Sequence, residues 1–280
     1  MNMREELRRL LDSERPLVMP DAFDGMSARL IALAGFKAIQ CSGFSMALAS
    51  RAVPEAKLGL QKNLEITGDI VASVNLPVMA DGEDGFGPPS AIPDVIRSFM
   101  GAGAAGINIE DQALPPTEPK QIVDCAVMVD KIRVARKTAT ENGAPDFLIN
   151  ARTDALMTHN DRAKGLQVAV QRGNEYLAVG ADLVFVVGVA RLDEARQLVR
   201  QIRGPISIAA GMPYNIRELS IKSLRECGVA RVSLPSVCIF AALRAIKDSL
   251  AIIRGSDGFD ELVSRGLLCE MNDAGNVCAR

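Results

Sequence analysis

Pro77-Val78-Met79-Ala80-Asp81-Gly82-Glu83-Asp84-Gly85-Phe86-Gly87 decides the fold of this chain. A short, unbroken apolar run leads straight into an acidic, glycine-rich turn. Continuous apolar character without alternation marks a parallel strand covered on both faces. The glycines at 82, 85 and 87 let the backbone turn sharply just beyond it.

The same junction recurs along the chain. Residues 105–109 (AGINI) run into Glu110-Asp111-Gln112, 147–151 (FLINA) into Arg152-Thr153-Asp154, and 37–41 (KAIQC) into Ser42-Gly43-Phe44. Further strand-like runs lie at 17–20, 182–187, 205–209 and 229–234, which brings the total to eight. Amphipathic helical stretches separate them, near 24–35, 61–74, 90–102, 122–141, 161–179, 192–202, 216–227 and 236–253. Gly35, Gly103, Gly180 and Gly228 stand where such helices end. Eight alternating βα units predict an α/β fold, a closed (β/α)8 TIM barrel.

A length of 280 residues suits one such barrel: a single domain over 1–280 with a C-terminal helical extension from about 236. Trp is absent and aromatics make up 4% of the chain, so the core must be mainly aliphatic. A net charge of −2, with both signs interspersed, leaves no basic stripe for nucleic acid. No apolar run reaches the length of a membrane span. The opening Met1-Asn2-Met3-Arg4-Glu5-Glu6 reads as a charged helix rather than a signal peptide. The six cysteines form no CxxC pair, and those at 41, 227 and 238 sit in apolar settings suited to buried free thiols, which fits a reduced, cytoplasmic protein.

Barrel enzymes place their reactive groups where strands end. Asp81, Glu83 and Glu110 end neighbouring strands, and like charges crowded there repel unless a cation offsets them. Oxygen donors without His or Cys partners suit a hard divalent ion, Mg2+ with Mn2+ able to replace it. Arg152 offers a planar fork for a carboxylate or phosphonate. Ser42-Gly43-Phe44 offers a hydroxyl and successive backbone N–H groups for a carboxylate or oxyanion. His159, the only histidine, precedes a helix in a polar stretch, so no Ser–His or Cys–His pair is available. The glycine run at 101–106 precedes a strand instead of following one, which removes a dinucleotide-loop reading. Residues 112–121 (QALPPTEPKQ), with three prolines, form a long βα loop.

In order and spacing, these pieces resemble the isocitrate lyase/phosphoenolpyruvate mutase superfamily. The matching set is Pro20-Asp21-Ala22-Phe23-Asp24 with Ser27-Ala28, Ser42-Gly43, Ser50-Arg51 with Pro54-Glu55, Asp81 through Gly87, Asn108 through Gln112, and Ala151 through Ala155. The resemblance implies chemistry on a pyruvate enolate bound to Mg2+ while a C–C or P–C bond breaks or forms. It would make Asp81 and Glu110 metal ligands with Glu83 helping directly or through water, and Glu55 a neighbour of the ion's water shell. Ser42, Gly43 and Phe44 would bind the 2-oxoacid end, Arg152 an anionic group, and 112–125 would be a gate over the substrate. It also implies a homotetramer in which a C-terminal helix, about 236–253 or the segment after it, is exchanged between subunits.

Several positions depart from the family pattern. Members that cleave 2-methylisocitrate carry a Lys-(Lys/Arg)-Cys-Gly-His run in the gate, where this chain reads Pro116-Thr117-Glu118-Pro119-Lys120. Cys125 comes a few residues too late, which leaves Glu118 as the candidate acid. The gate Lys and Asn of phosphonopyruvate enzymes are not evident, Lys120 being a loose match. Val186-Val187-Gly188 replaces a frequent Glu at the sixth strand end, and Glu83 replaces the more usual Asp. These departures point to a Mg2+-dependent lyase cleaving a C–C bond of a small 2-oxo or 2-hydroxy dicarboxylate, close to oxaloacetate. The alternatives are a P–C bond enzyme (a phosphonopyruvate-type mutase or hydrolase) and a non-catalytic oxoacid-binding barrel.

Overall fold

The computed structural model describes residues 2–52, 57–113, 120–255 and 258–278. Eight strands pair in parallel, each with the next, and the last closes on the first. They are β1 Leu17–Ala22, β2 Ile39–Cys41, β3 Val78–Asp81, β4 Gly106–Glu110, β5 Leu148–Thr153, β6 Leu183–Val186, β7 Ile206–Ala209 and β8 Arg231–Leu234. Closure sets Leu17 opposite Arg231 and Pro20 opposite Leu234. The barrel expected from the apolar runs is the fold observed.

The helices are α1 Met3–Ser13, α2 Gly25–Leu33, α3 Gly43–Ala49, α4 Gly59–Ser73, α5 Ile92–Gly101, α6 Cys125–Glu141 and α7 Ala155–Thr158. After them come α8 Arg162–Ala178, α9 Leu192–Gln201, α10 Ile221–Glu226, α11 Val237–Gly255, α12 Asp260–Ser264 and α13 Met271–Cys278. Two differences from expectation touch the site. Ser42-Gly43-Phe44 is the start of α3 rather than an open loop, with Ser42 as its N-cap. The helix expected over 216–227 begins only at Ile221. Asn215 instead ties its side chain to Val189 O and Ala209 O, holding 212–219 as a turn until Ser220 caps α10.

The barrel interior changes character along its axis. At the N-terminal end Leu7 and Leu10 of α1 pack on Leu17, Met19, Met79, Leu148 and Leu183 and close the bottom. Burying each of those two leucines contributes roughly 1.5–3 kcal/mol. One layer up the strands carry Gln40, Asn108, Asn150, Ser207 and Arg231, all buried. Above these lie the acidic strand ends. The outer faces of the strands meet the helices in aliphatic clusters, around Ile107, Ile132 and Phe147 on one side and Val184, Leu198 and Ile208 on another.

Candidate active site

Asp81 ends β3 and is held from three sides. Its Oδ2 accepts from Gly43 N at 2.8 Å, its Oδ1 from Glu83 N at 3.3 Å, and its backbone carbonyl from Asn63 Nδ2 at 3.0 Å. The next residue has to be glycine for a steric reason: a Cβ on Gly82 would sit 2.6 Å from Asn108 O on the neighbouring strand. Glu83 then takes φ +48°, a left-handed conformation uncommon for a non-glycine residue, and Phe86 takes φ +54°. Such backbone persists only where the surroundings over-determine it, and it concentrates at functional sites. Glu110 N donates to Glu83 O at 2.8 Å, so the two acidic loops are zipped together.

Arg152, on β5, faces these acids. Its Nη1 lies 2.5 Å from Glu110 Oε2, while Nε and Nη2 grip Asp154 at 2.8 and 3.0 Å. Burial works against the guanidinium charge, but Asp154, Glu110 and Asp81 outweigh it and raise the group well above its ordinary value. Asp154 is positioned in turn by Asp111, whose Oδ1 accepts from Asp154 N at 2.9 Å. Asp111 is fully buried and also accepts from Arg172 Nη1 at 3.0 Å and Tyr176 OH at 2.8 Å. Burial raises the Asp111 carboxyl above the usual range, opposed by those partners.

A cavity of about 220 Å³ opens at this end of the barrel. Asp81, Asn108, Arg152 and Asp154 line one side, with Ser42 and Phe44 beside them. Phe185, Val187, Ala209 and Met212 line the other, with Tyr214 above and Gln40 and Ser233 beneath. The volume lies below the range of pockets for drug-sized ligands, so it suits a small ligand. Lys120 also reaches the cavity, its Nζ donating to Gln112 Oε1 at 2.9 Å. The two arms of the expected gate are clamped together, Ala113 N to Gln121 O at 2.9 Å and Val123 N to Asp111 O at 2.8 Å.

The structure therefore brings Ser42, Phe44, Asp81 and Arg152 to one cavity. Glu83 and Glu110 are buried behind it, with 5% and 4% exposure, and are not among its lining residues. Among the described residues no group of three or more His, Cys, Asp or Glu side chains is disposed to hold a metal ion. Ser42 Oγ donates to Pro235 O at 2.7 Å and Gly43 N is committed to Asp81, so this corner is internally bonded. Glu55 and Glu118 lie outside the described residues. Cys125 opens α6 and its thiol bonds Glu175 at 3.0 Å; burial, then Glu175, pushes it up to about 12. His159 bonds Ala155 O through Nδ1 at 2.9 Å and ends α7. Asp154, Asn108, Tyr214, Gln40 and Ser233 were not singled out for roles from sequence. Asp154 and Asn108 did carry a signal, both lying in segments of the family-matching set and Asp154 two positions after a strand-end arginine.

The donor set fits a hard cation. Asp81 presents carboxylate oxygen at the cavity and two further carboxylates stand behind it. Mg2+ takes one or two carboxylates and fills its octahedron with water and substrate oxygens, so a preassembled trio is not required.

A closed barrel with a small, anion-handling pocket at the C-terminal ends of its strands is a (β/α)8 enzyme site. The chain belongs to the phosphoenolpyruvate phosphomutase family, whose model matches residues 7–254, and so to the isocitrate lyase/phosphoenolpyruvate mutase superfamily of lyases and phosphomutases. It is similar to the 2-methylisocitrate lyase of Bacillus subtilis, 34% identical over 260 residues that cover 88% of this chain and 80% of that protein. The 2,3-dimethylmalate lyase of Eubacterium barkeri is 30% identical over 264 residues, 92% of this chain and 88% of that one. Among solved structures, a phosphonopyruvate hydrolase in complex with oxalate and Mg2+ superposes with a TM-score of 0.86 at 29% identity, over 99% of this chain and 95% of that chain. No helix among the described residues is long and apolar enough to cross a membrane.

Proposed function

We propose that this enzyme is a Mg2+-dependent lyase that cleaves a C–C bond of a small 2-oxo or 2-hydroxy dicarboxylate of oxaloacetate type. The observation that carries this reading is the meeting of Asp81 and Arg152 on one side of a cavity of about 220 Å³. Asp81 would hold the ion, with Glu83, Glu110 and Glu55 ordering its water shell. Bound Mg2+ supplies Lewis-acid polarisation of the 2-oxo group. Arg152, fixed by Asp154 and Glu110, stabilises the negative charge that develops on the enolate oxygen as the bond breaks. Ser42, Gly43 and Phe44 border the carboxylate end of the substrate. Phe185, Val187 and Met212 keep water from that wall, which strengthens the electrostatics opposite. In decarboxylation, CO2 leaves with its carbon's former bonding pair remaining on C3, and C3 takes a proton from water or from Glu118. The relative solved with oxalate and Mg2+ supports the ion and the oxoacid end.

The test is direct. Purified protein with Mg2+ is given oxaloacetate, 2-methylisocitrate, 2,3-dimethylmalate and phosphonopyruvate separately, and pyruvate and ³¹P signals are followed. Pyruvate from oxaloacetate or dimethylmalate is expected. Release of phosphate or rearrangement of phosphonopyruvate would move the reading to P–C chemistry, and turnover of none would leave an oxoacid-binding barrel.

A homotetramer belongs to the same reading. Phe240, Leu243, Ile246, Leu250 and Ile253 form an exposed apolar stripe along α11, 40–60% accessible at helical spacing. A second copy of the chain is the expected occupant. Leu243→Asp with Ile246→Asp should lower the mass measured by light scattering; an unchanged mass would remove this stripe as the interface.

A further inference from the structure

Beneath the cavity lies a cation that the lyase chemistry above does not use. Arg231 starts β8, points into the barrel, and is fully buried. Its Nη2 donates to Gln40 Oε1, its Nη1 to Ser207 Oγ at 2.8 Å, and its Nε to Met19 Sδ at 3.0 Å. The guanidinium carbon sits 5.6 Å from the centre of the Phe185 ring. None of these partners is a carboxylate. Burial depresses the guanidinium to about 9, opposed by Asp81, so it stays charged at neutral pH. Holding a buried charge among neutral partners opposes folding. Methionine or leucine would fill the space without that cost, so the barrel retains a cation to which no carboxylate among the described residues is hydrogen-bonded.

The surrounding groups aim this charge upward. A guanidinium only donates, so the acceptor end of the Gln40 amide is committed to Arg231. What Gln40 can offer the cavity it lines is therefore its NH2. Ser233, two residues along β8 from Arg231, lines the same cavity; it is 1% exposed, and its Oγ has no hydrogen-bond partner among the described residues. A buried hydroxyl is rarely left unsatisfied, and such a group asks for a ligand. Phe44 and Met157 at the rim are 40% and 43% exposed, so Gln40 and Ser233 form the floor. Arg152 differs from Arg231 in one respect that matters here. Its charge is already matched by Asp154 and Glu110.

We infer that Gln40 and Ser233 form a carboxylate subsite on the barrel floor, aimed by the buried Arg231, which receives the second carboxylate of the substrate. This rests on the dicarboxylate reading above and assigns its two ends. The 2-oxo or 2-hydroxy end lies at Asp81 and the strand mouth, and the far carboxylate descends to the floor. Gln40 and Ser233 contact the ligand, while Arg231 is a positioning residue that acts through Gln40 and through its field.

The experiment compares malate with 2-hydroxybutyrate, which keeps the carbon chain but replaces the far carboxylate by methyl. Binding is measured by calorimetry with Mg2+, with oxalate as the probe of the mouth alone. Wild type should bind malate at least about tenfold tighter than 2-hydroxybutyrate, since a hydrogen-bonded charge outweighs a methyl in a donor-lined site. Gln40→Glu keeps the side-chain shape, gives Arg231 a carboxylate, and turns oxygen instead of NH2 toward the cavity. It should fold with an equal or higher melting temperature and abolish the malate preference. Ser233→Ala should reduce that preference about three- to tenfold and carries the test if Gln40→Glu does not fold. A purely structural role would weaken both ligands alike and leave their ratio in place. The inference is overturned if wild type shows no preference, or if the ratio survives both substitutions. Oxalate binding with an unresponsive ratio would remove the floor subsite and leave the lyase reading standing. A responsive ratio with none of the four acids turned over would do the reverse.

Discussion

The two walls of the cavity are built on different principles. At the ends of β2, β3 and β5 stand Ser42, Asp81 and Arg152, with Glu110 of β4 behind them, each tied to a neighbour by a hydrogen bond or ion pair. Strands β6 and β7 instead lead to Val187, Ala209 and Met212, with Tyr214 above them. The first wall has fixed charges that can stabilise a developing anion without reorganising at the moment of reaction. The second offers shape and dryness, which discriminate between acids of different size but stabilise no charge. Chemistry and selectivity are thus divided across the barrel axis. If this division is right, substitutions on the first wall should cost rate on every substrate, and those on the second should change which substrate is preferred.

The largest effect should come from Asp81→Ala. Loss of the cavity-facing carboxylate removes the ion and its charge stabilisation, worth several kcal/mol, so turnover should fall at least about a thousandfold. Mg2+ binding followed by calorimetry should vanish with it. Retention of both would break the comparison at its root, since the first wall would then hold no ion.

Arg152→Lys comes next. A lysine keeps the charge but cannot bond Asp154 through two nitrogens while reaching Glu110 with a third. One charge-assisted hydrogen bond is lost, at roughly 1.5–3 kcal/mol, so kcat/KM should drop about ten- to 150-fold with every active acid. A drop confined to one acid would make Arg152 a selectivity residue and blur the division.

The first wall was legible in the sequence and the second was not, for a reason of contrast. A charged residue directly after an apolar run is conspicuous, because a strand buried on both faces should not end in acid without cause. Asp81, Glu110 and Arg152 therefore stood out, and so did all eight strands. Val187, Ala209 and Met212 look the same in sequence whether they face a helix or a ligand, since only closure of the barrel tells inside from outside. Gln40 and Arg231 fall within apolar runs and gain meaning from meeting across β1, β2 and β8, a pairing that no local pattern encodes. Ser42-Gly43-Phe44 was read as offering a hydroxyl and successive backbone N–H groups, and the structure adds bonds that spacing does not reveal. The segment is a helix start whose hydroxyl serves Pro235 O and whose Gly43 N–H serves Asp81.

A smaller, selective effect is expected on the second wall. Met212→Ala opens the dry side without touching a charge. One methylene in an apolar pocket is worth about 1–3 kcal/mol in discrimination. Acids branched at C3 should therefore gain about tenfold in kcat/KM relative to oxaloacetate, with kcat for the smaller acid changed little. Measuring both acids in competition reads this ratio directly. An equal loss on both would mean that Met212 supports the reacting wall instead of shaping the pocket.

Tyr214→Phe should give the smallest change and draws the boundary between the walls. The phenol accepts from Gly188 N at 3.3 Å, which ties the turn after β6 to the segment after β7. Burial raises its pKa above the ordinary value, so the group is neutral throughout the working range and holds its proton. A neutral hydrogen bond is worth about 0.5–1.5 kcal/mol, which corresponds to a two- to tenfold loss when removed. Because Gly188 adjoins Val187, that loss should appear chiefly in KM and by a similar factor for each acid. A loss above about a hundredfold in kcat would show the phenol proton moving in the reaction, and Tyr214 would then belong with Asp81 and Arg152 rather than with the wall it stands on.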